Sequence, residues 1–331
     1  MAIINYFANP ASYNSTYSDS VYEAALAVAA PFLVQQKNQV IAGATVNEGT
    51  VEYNGNSFTV YTDYINPGNG YYTPTPSAFN AVWPKSQFPN AIYDPGASAF
   101  NATIDCVGFA SRVLISVGDT PDDPQNNAFS LLHDQIDTNA VHFAAPGIVP
   151  TAFEFAVALP ALLPGRWSYV SGNVNASAIK NQSDQSSKNY TGVPKGGFAG
   201  AQAGDIVCFG YERGASNGHF MVLTTAPQPV DMNQFDNLPE FVQNAYIISV
   251  YDSTDSGFSL HFNDSRLNDG DGGSGVGYGQ LYLFTNAADE PVGFIFGPAG
   301  DGMEMAHFIY ELVPPEPKQL IVAAISIGRF E

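Results

Sequence analysis

A thiol, an imidazole and a carboxylate stand in this chain at positions from which they can act together: Cys106, His219 and Asp252. Cys106 follows Asp105 and opens the run Cys-Val-Gly-Phe-Ala-Ser-Arg-Val-Leu-Ile-Ser-Val-Gly. In that run Val107, Ala110, Leu114 and Val117 share one helical face and Gly118 closes it. A cysteine at a helix N-terminus meets unpaired amide donors and the positive end of the macrodipole, which favour thiolate. A thiol nucleophile needs an imidazole in reach and a third group to fix its tautomer. His219 heads His219-Phe220-Met221-Val222-Leu223 directly after Ser216-Asn217-Gly218, so it marks the starting edge of a strand. The following strand, Tyr246 to Tyr251, ends at Asp252. If the two pair antiparallel, the end of the second lies beside the start of the first, and Asp252 meets His219.

Plainer readings stand beside these. A free cysteine is usually a small buried hydrophobe, which describes Cys208 between Val207 and Phe209. His219 can merely top a strand, and Asp252 can open an Asx turn into Ser253-Thr254. Beyond Asp252 come His261, Asp264 and Arg266. Arg266 suits a substrate carboxylate as a planar bidentate donor, although an ion pair to Asp264 or Asp269 is the preferred reading. The run Asp269-Gly270-Asp271-Gly272-Gly273 lacks the closing Glu of a calcium loop. His133, His142 and His307 form no ligand-spaced pairs with one another or with the cysteines, so no metal and no other cofactor is expected.

The elements that must position these groups read as helices first and strands afterwards. A helix is predicted over Asp19 to Lys37, capped by Asp19 or Ser20. A two-stranded ribbon of Val40 to Val46 and Ser57 to Tyr64 follows, around Asn54-Gly55-Asn56. Asn66 to Ala97 is a long Pro-, Gly-, Asn- and Tyr-rich loop, and Asn173 to Gly197 a polar surface connection. Helices are predicted over Ala128 to Ile136 and Phe153 to Leu163. Strands follow at Gly204 to Phe209, His219 to Thr224, Ala245 to Tyr251, Leu281 to Phe284, Val292 to Phe296, Phe308 to Leu312 and Leu320 to Ile327. Pro227 to Asn244 is an insertion with the makings of a lid. This order argues an α+β fold with a mostly antiparallel sheet. The expected division is an N-terminal elaboration over residues 1–88 and a hydrolase domain over residues 89–331.

Composition narrows the classes. With 45% hydrophobic residues, 18 Tyr and 23 Phe, the chain is globular. A formal net charge of -20 repels phosphate backbones and anionic lipid, so neither nucleic acid nor membrane is an expected partner. No disulfide framework is indicated. The N-terminus lacks a basic region and an apolar segment of signal-peptide length, so an extracellular or periplasmic site implies a non-Sec route. No Gly-x-Ser-x-Gly elbow and no phosphate-binding loop appears.

Asp105-Cys106-Val107-Gly108-Phe109, Gly204-Asp205-Ile206-Val207 and Gly218-His219-Phe220 together resemble the NlpC-type cell-wall peptidases of the papain-like cysteine hydrolase superfamily. The resemblance covers residues 90 to 300. It implies a papain-like core with the cysteine-bearing helix on an antiparallel sheet, and amide hydrolysis through a thioester with Cys106, His219 and Asp252 as the catalytic set. By the same resemblance Tyr93 contributes to the oxyanion site; Asp105, next to the cysteine, and Arg266 are the further candidates for the substrate side. The implied substrate is a peptidoglycan stem peptide or another peptide amide, and the implied partners of a delivered effector are an immunity protein or a secretion apparatus. Departures are Val107, where the family has a small serine, and a longer stretch between His219 and Asp252. An acyltransferase or deamidase, and a non-catalytic binding protein with a vestigial site, remain as alternatives.

Overall fold

The computed structural model describes residues 20–38, 40–47, 49–64, 92–93, 96–118, 127–132, 151–162, 165–175, 196–211, 218–255, 261–268, 273–298, 305–309, 312 and 321–331. Asn54 and Gly55, with φ of 48° and 77°, make the tight turn expected of Asn-Gly. The strands they join are β2 (Thr50–Tyr53) and β3 (Asn56–Asp63), with β1 (Thr45–Asn47) outside β2, so the first strand of the ribbon lies later than Val40 to Val46. β3 then pairs in parallel with β4 (Ala99–Thr103), completing a four-stranded sheet. Among the described residues α1 (Val21–Gln35), α2 (Cys106–Ile115) and α3 (Ala152–Ala158) accompany it, and residues 128–132 are helical too, at the start of the helix expected over Ala128 to Ile136. Ser20 caps α1 through the Glu23 amide, and Thr151 with Glu154 forms a capping box on α3.

The second sheet is large and antiparallel. It contains β5 (Trp167–Val174), β6 (Ile206–Tyr211), β7 (Gly218–Leu223), β8 (Gln228–Val230), β9 (Asn244–Thr254), β10 (Gly275–Thr285), β11 (Pro291–Ile295), β12 (His307–Phe308) and β13 (Val322–Phe330). Its order is β12-β11-β10-β9-β7-β6-β13-β5, with β8 added on β9. The period of two sorts each strand between two cores. Val207, Phe209, Met221, Leu223, Phe294 and Ile325 turn to one face of the sheet and share a core there. Ile206, Cys208, Phe220 and Val222 turn the other way, onto the helices and the small sheet. Each such large apolar side chain contributes about 1.5–3 kcal/mol by leaving water.

These observations correct the expected fold class. Among the described residues strands predominate, in a curled sheet of nine and a smaller sheet of four, and the chain does not have the papain-like α+β core. Local periodicity detected most strands but not β2, β4, β5 and β8, and it carried no information on curling. The residues before 89 are built into the same core as the rest: Val28, Phe32, Val51 and Phe58 share a cluster with Phe109 and Phe220. Residues 133–136, 269–272 and most of 66–97 and of 173–197 lie outside the described residues. The insertion after Pro227 packs β8 beside Ala245 to Ile247, at the opposite end of β9 from Asp252, which is not where a lid over Asp252 belongs.

Candidate active site

β7 and β9 pair only at Val222↔Tyr251 and Leu223↔Val250. Beyond that point the strands part, although β9 stays paired with β10 as far as Thr254. The N-terminus of α2 lies at this opening. The Ser253 hydroxyl donates to the Ile104 carbonyl at 2.6 Å, tying the segment before Cys106 to β9. The Phe220 amide of β7 and the Val107 amide both donate toward the Cys106 sulfur. The sulfur is thus anchored one residue along from His219. Gly218, with φ of +146°, precedes it at a position where a Cβ would collide with the Phe209 carbonyl oxygen, so the strand turns inward to His219 without a side chain.

His219 Nε2 lies 2.6 Å from Asp252 Oδ2. His261 Nε2 reaches the same oxygen at 2.7 Å, while its Nδ1 faces the Phe296 carbonyl at 3.2 Å. Asp252 Oδ1 accepts from Arg266 Nη1 at 3.0 Å. The rest of the guanidinium forks onto Asp264, Nε to Oδ1 at 2.7 Å and Nη2 to Oδ2 at 2.8 Å, and Nη1 also donates to the Gly275 carbonyl. Asp252, His261 and Arg266 are fully buried, whereas Cys106 and His219 keep 5% and 7% of their surface. The residues with surface left are therefore the thiol and the imidazole.

The electrostatics assign the roles further. Burial alone raises the Asp252 carboxyl. The fields of His261 and Arg266 and the two imidazole hydrogen bonds outweigh it and hold the group well below the carboxylate range. Burial lowers His219, opposed by Asp252 and assisted by His261 and Arg266, and the net shift is downward. Burial, then the Asp105 carboxylate, pushes the Cys106 thiol up against the two amide donors. These shifts run against the expected helix-stabilised thiolate, since burial favours the neutral thiol and the neutral imidazole. No hydrogen bond links Cys106 to the His219 ring among the described residues, and Nδ1 is the ring nitrogen not engaged by Asp252.

No family model, curated protein or solved structure matches this chain. The NlpC-type resemblance rests on the quoted residues alone.

Three other sequence candidates fall differently. Asp105 is the N-cap of α2 and accepts from the Gly108 amide at 2.6 Å. Burial carries its carboxyl up to about 6 despite amide donors. Arg266 is consumed by Asp252 and Asp264 and has no surface to offer a substrate, a correction in favour of the ion-pair reading. Tyr93 is buried with its ring against Phe100, centroids 5.0 Å apart. Cys208 is a buried free thiol, as a core cysteine should be. Sequence reasoning placed His261 only as a flanking residue. No spacing in the sequence marks it; in the structure its ring takes the space beside Gly279, where a Cβ would overlap it.

The ligand atoms of His219, Asp252 and His261 lie within 4.8 Å of one another, a set that a divalent ion such as zinc can use. In this arrangement, however, both imidazoles are engaged with Oδ2 itself and a guanidinium holds Oδ1. The carboxylate is already saturated and neutralised, which favours a hydrogen-bonded relay over a metal centre. Among the described residues no helix is long and apolar enough to cross a membrane.

A first prediction follows from Asp105. Asp105→Asn keeps a side-chain oxygen for the Gly108 amide and removes the carboxylate whose field opposes thiolate formation. Alkylation of Cys106 by iodoacetamide at pH 7, followed by mass spectrometry, is expected to quicken severalfold, with a melting temperature at pH 7 that does not fall, since the buried carboxylate is itself unfavourable there. A slower or equal rate removes Asp105 from the control of the thiol.

Proposed function

We propose that this chain is a thiol-dependent amide hydrolase acting through a thioester, with peptide stems of peptidoglycan as the substrate class. The observation that carries the reading is His219 bonded at 2.6 Å to a buried, ionised Asp252, with the Cys106 sulfur held by the next residue's amide. In the mechanism the Cys106 proton passes to His219 Nδ1 as the sulfur attacks the carbonyl carbon. Asp252 accepts from Nε2 and stabilises the imidazolium that forms. The C–N bond then breaks, and His219 returns the proton to the leaving amine. Water, deprotonated by the same ring, attacks the thioester, and the C–S bond breaks as the thiol is restored. The acidity of the chain disfavours polyanionic substrates, and the Asp105-Cys106 and Gly218-His219 motifs supply the link to cell-wall peptides. Action outside the cytoplasm, in the wall or the periplasm, goes with that substrate, and an immunity protein or a secretion apparatus goes with delivery as an effector.

One observation favours a second reading. The 5% exposure of Cys106 and its raised thiol suit a binding protein with a vestigial site. Incubation with purified peptidoglycan separates the two. Mass spectrometry is expected to show the gain of one water at a single stem amide, lost after iodoacetamide and retained in EDTA. Loss in EDTA with retention after iodoacetamide overturns the thiol mechanism in favour of a metal at His219, Asp252 and His261. No product from peptidoglycan or from added amine acceptors leaves the binding protein.

A further inference from the structure

Oxygen Oδ2 of Asp252 faces two imidazoles, and the thioester mechanism uses only one of them. The other, His261, is fully buried, so it acts through its own partners and not on a substrate. Those partners hold it from every side. The Phe262 amide and carbonyl bridge to Gln280 of β10 in two bonds of 2.8 Å, and the His261 amide donates to Asp264 Oδ2 at 2.9 Å. The ring fills the space beside Gly279, and its centroid lies 4.4 Å from that of Phe296. Its nitrogens are thereby committed, Nε2 at 2.7 Å from Asp252 Oδ2 and Nδ1 at 3.2 Å from the Phe296 carbonyl.

Both contacts are with acceptors. A carbonyl oxygen does not donate, and neither does a carboxylate whose Oδ1 is paired with Arg266 at 3.0 Å. A neutral imidazole has one N–H and one lone pair, so either tautomer sets a lone pair against one of these oxygens. Protons on both nitrogens satisfy both. The charges agree: Asp252 and Asp264 bring two carboxylates to the cluster, Arg266 is a single cation shared between them, and a protonated His261 is the second. The Phe296 ring beside it also suits a cation. His219 is left as the neutral member. Burial is the first influence that lowers its imidazole, Asp252 opposes it, and the fields of His261 and Arg266 add to it. The remaining titratable neighbour is the Cys106 thiol, held at the start of α2 by the Phe220 amide.

We propose that His261 is a positioning residue protonated throughout the cycle: it donates to Asp252 and to Phe296, and by sharing Oδ2 it limits how strongly Asp252 draws on His219. A carboxylate serving His219 alone pulls that ring toward imidazolium, which has no lone pair left for the thiol. With a second imidazolium on the same oxygen, ring centroids 6.2 Å apart, His219 stays a free base to lower pH and is a stronger acid toward the leaving amine. This role rests on the reading of His219 as the base for Cys106. The charge of His261 does not.

Nitrogen-15 NMR of the full chain reads that charge without turnover. In wild type both ring nitrogens of His261 are expected to show the protonated signature from about pH 5 to 8, the resonances being assigned by their loss in His261→Gln. A lone pair on either nitrogen in that range overturns the proposal. His261→Gln keeps a donor for Asp252 and removes the charge. The His219 titration is therefore expected to rise by about one pH unit, and the acid limb of stem-amide hydrolysis to rise with it. An unchanged or lower His219 titration overturns the role. So does a fall in turnover at every pH with the limb unmoved, which is what a merely structural histidine gives. If wild type hydrolyses no stem amide while both NMR results hold, the hydrolase reading and the role fail together and the charge of His261 stands.

Discussion

Cys106→Ala is expected to abolish turnover of peptidoglycan stems, lowering it by about four to six orders of magnitude, while the chain folds as before. Removing the nucleophile leaves nothing for the His219 and Asp252 pair to activate except water, held in the wrong place. The structural cost is small. The side chain lost is one sulfur atom at the start of α2, so the cavity term is on the order of 1 kcal/mol, and the Asp105 cap and the Ser253 tether to Ile104 both survive. Circular dichroism and thermal melting check the second half of the expectation, product analysis the first. The pH profile adds a separate reading. Because burial lowers His219, with His261 and Arg266 adding to the effect, the imidazole stays neutral below the ordinary value of about 6.5, and the acid limb of turnover is expected below that pH. Full turnover in Cys106→Ala sinks the thiol mechanism outright.

The local parts of this site were legible and the long-range ones were not. A capped helix starting at Cys106 and a strand starting at Gly218 are decided within a few residues, by Asp105 bonding the Gly108 amide and by a glycine where the Phe209 carbonyl leaves no space. Proximity of Asp252 to His219 required only the assumption that neighbouring strands pair antiparallel. The curl of the large sheet, by contrast, depends on which strands meet across it, and no spacing in the sequence records that. The Gly-rich stretch ending at Gly279 reads as loop because glycine is poor in strands. Gly275, Gly277 and Gly279 are nevertheless in β10, at alternate positions. A Cβ at Gly277 would come within 2.9 Å of the Arg266 side chain, and one at Gly279 would overlap His261. Their bareness makes room for the buried Arg266 and His261 side chains, a reason visible only once both are in position.

Asp252→Ala is expected to cost more than activity. The carboxylate serves His219, His261 and Arg266 at once, and its loss leaves the buried Arg266 with Asp264 alone of its two carboxylates and takes from both imidazoles their bond to Asp252. Breaking a buried ion pair from one side costs about 3–5 kcal/mol, which lowers the melting temperature by roughly 10 °C in a chain of this size. The pH dependence gives the assignment its sign. The folded-state pKa of Asp252 is depressed, so the unfolded chain binds the proton more readily. Its contribution is then complete above the ordinary carboxylate value of about 4 and is lost as pH falls through the lower folded value. Asp105 runs the other way: its carboxyl, raised to about 6, favours the folded state increasingly as pH drops from 6 toward 4. Denaturant unfolding of wild type and Asp252→Ala is therefore expected to give a constant stability gap from neutral pH to about pH 5 and a shrinking gap below pH 4. Asp252→Asn, which retains an oxygen for one partner but not the charge, is expected to fall between them in stability and near Asp252→Ala in turnover. A gap that is small at neutral pH, or that widens in acid, contradicts an ionised Asp252 as the common anchor of both imidazoles and the guanidinium.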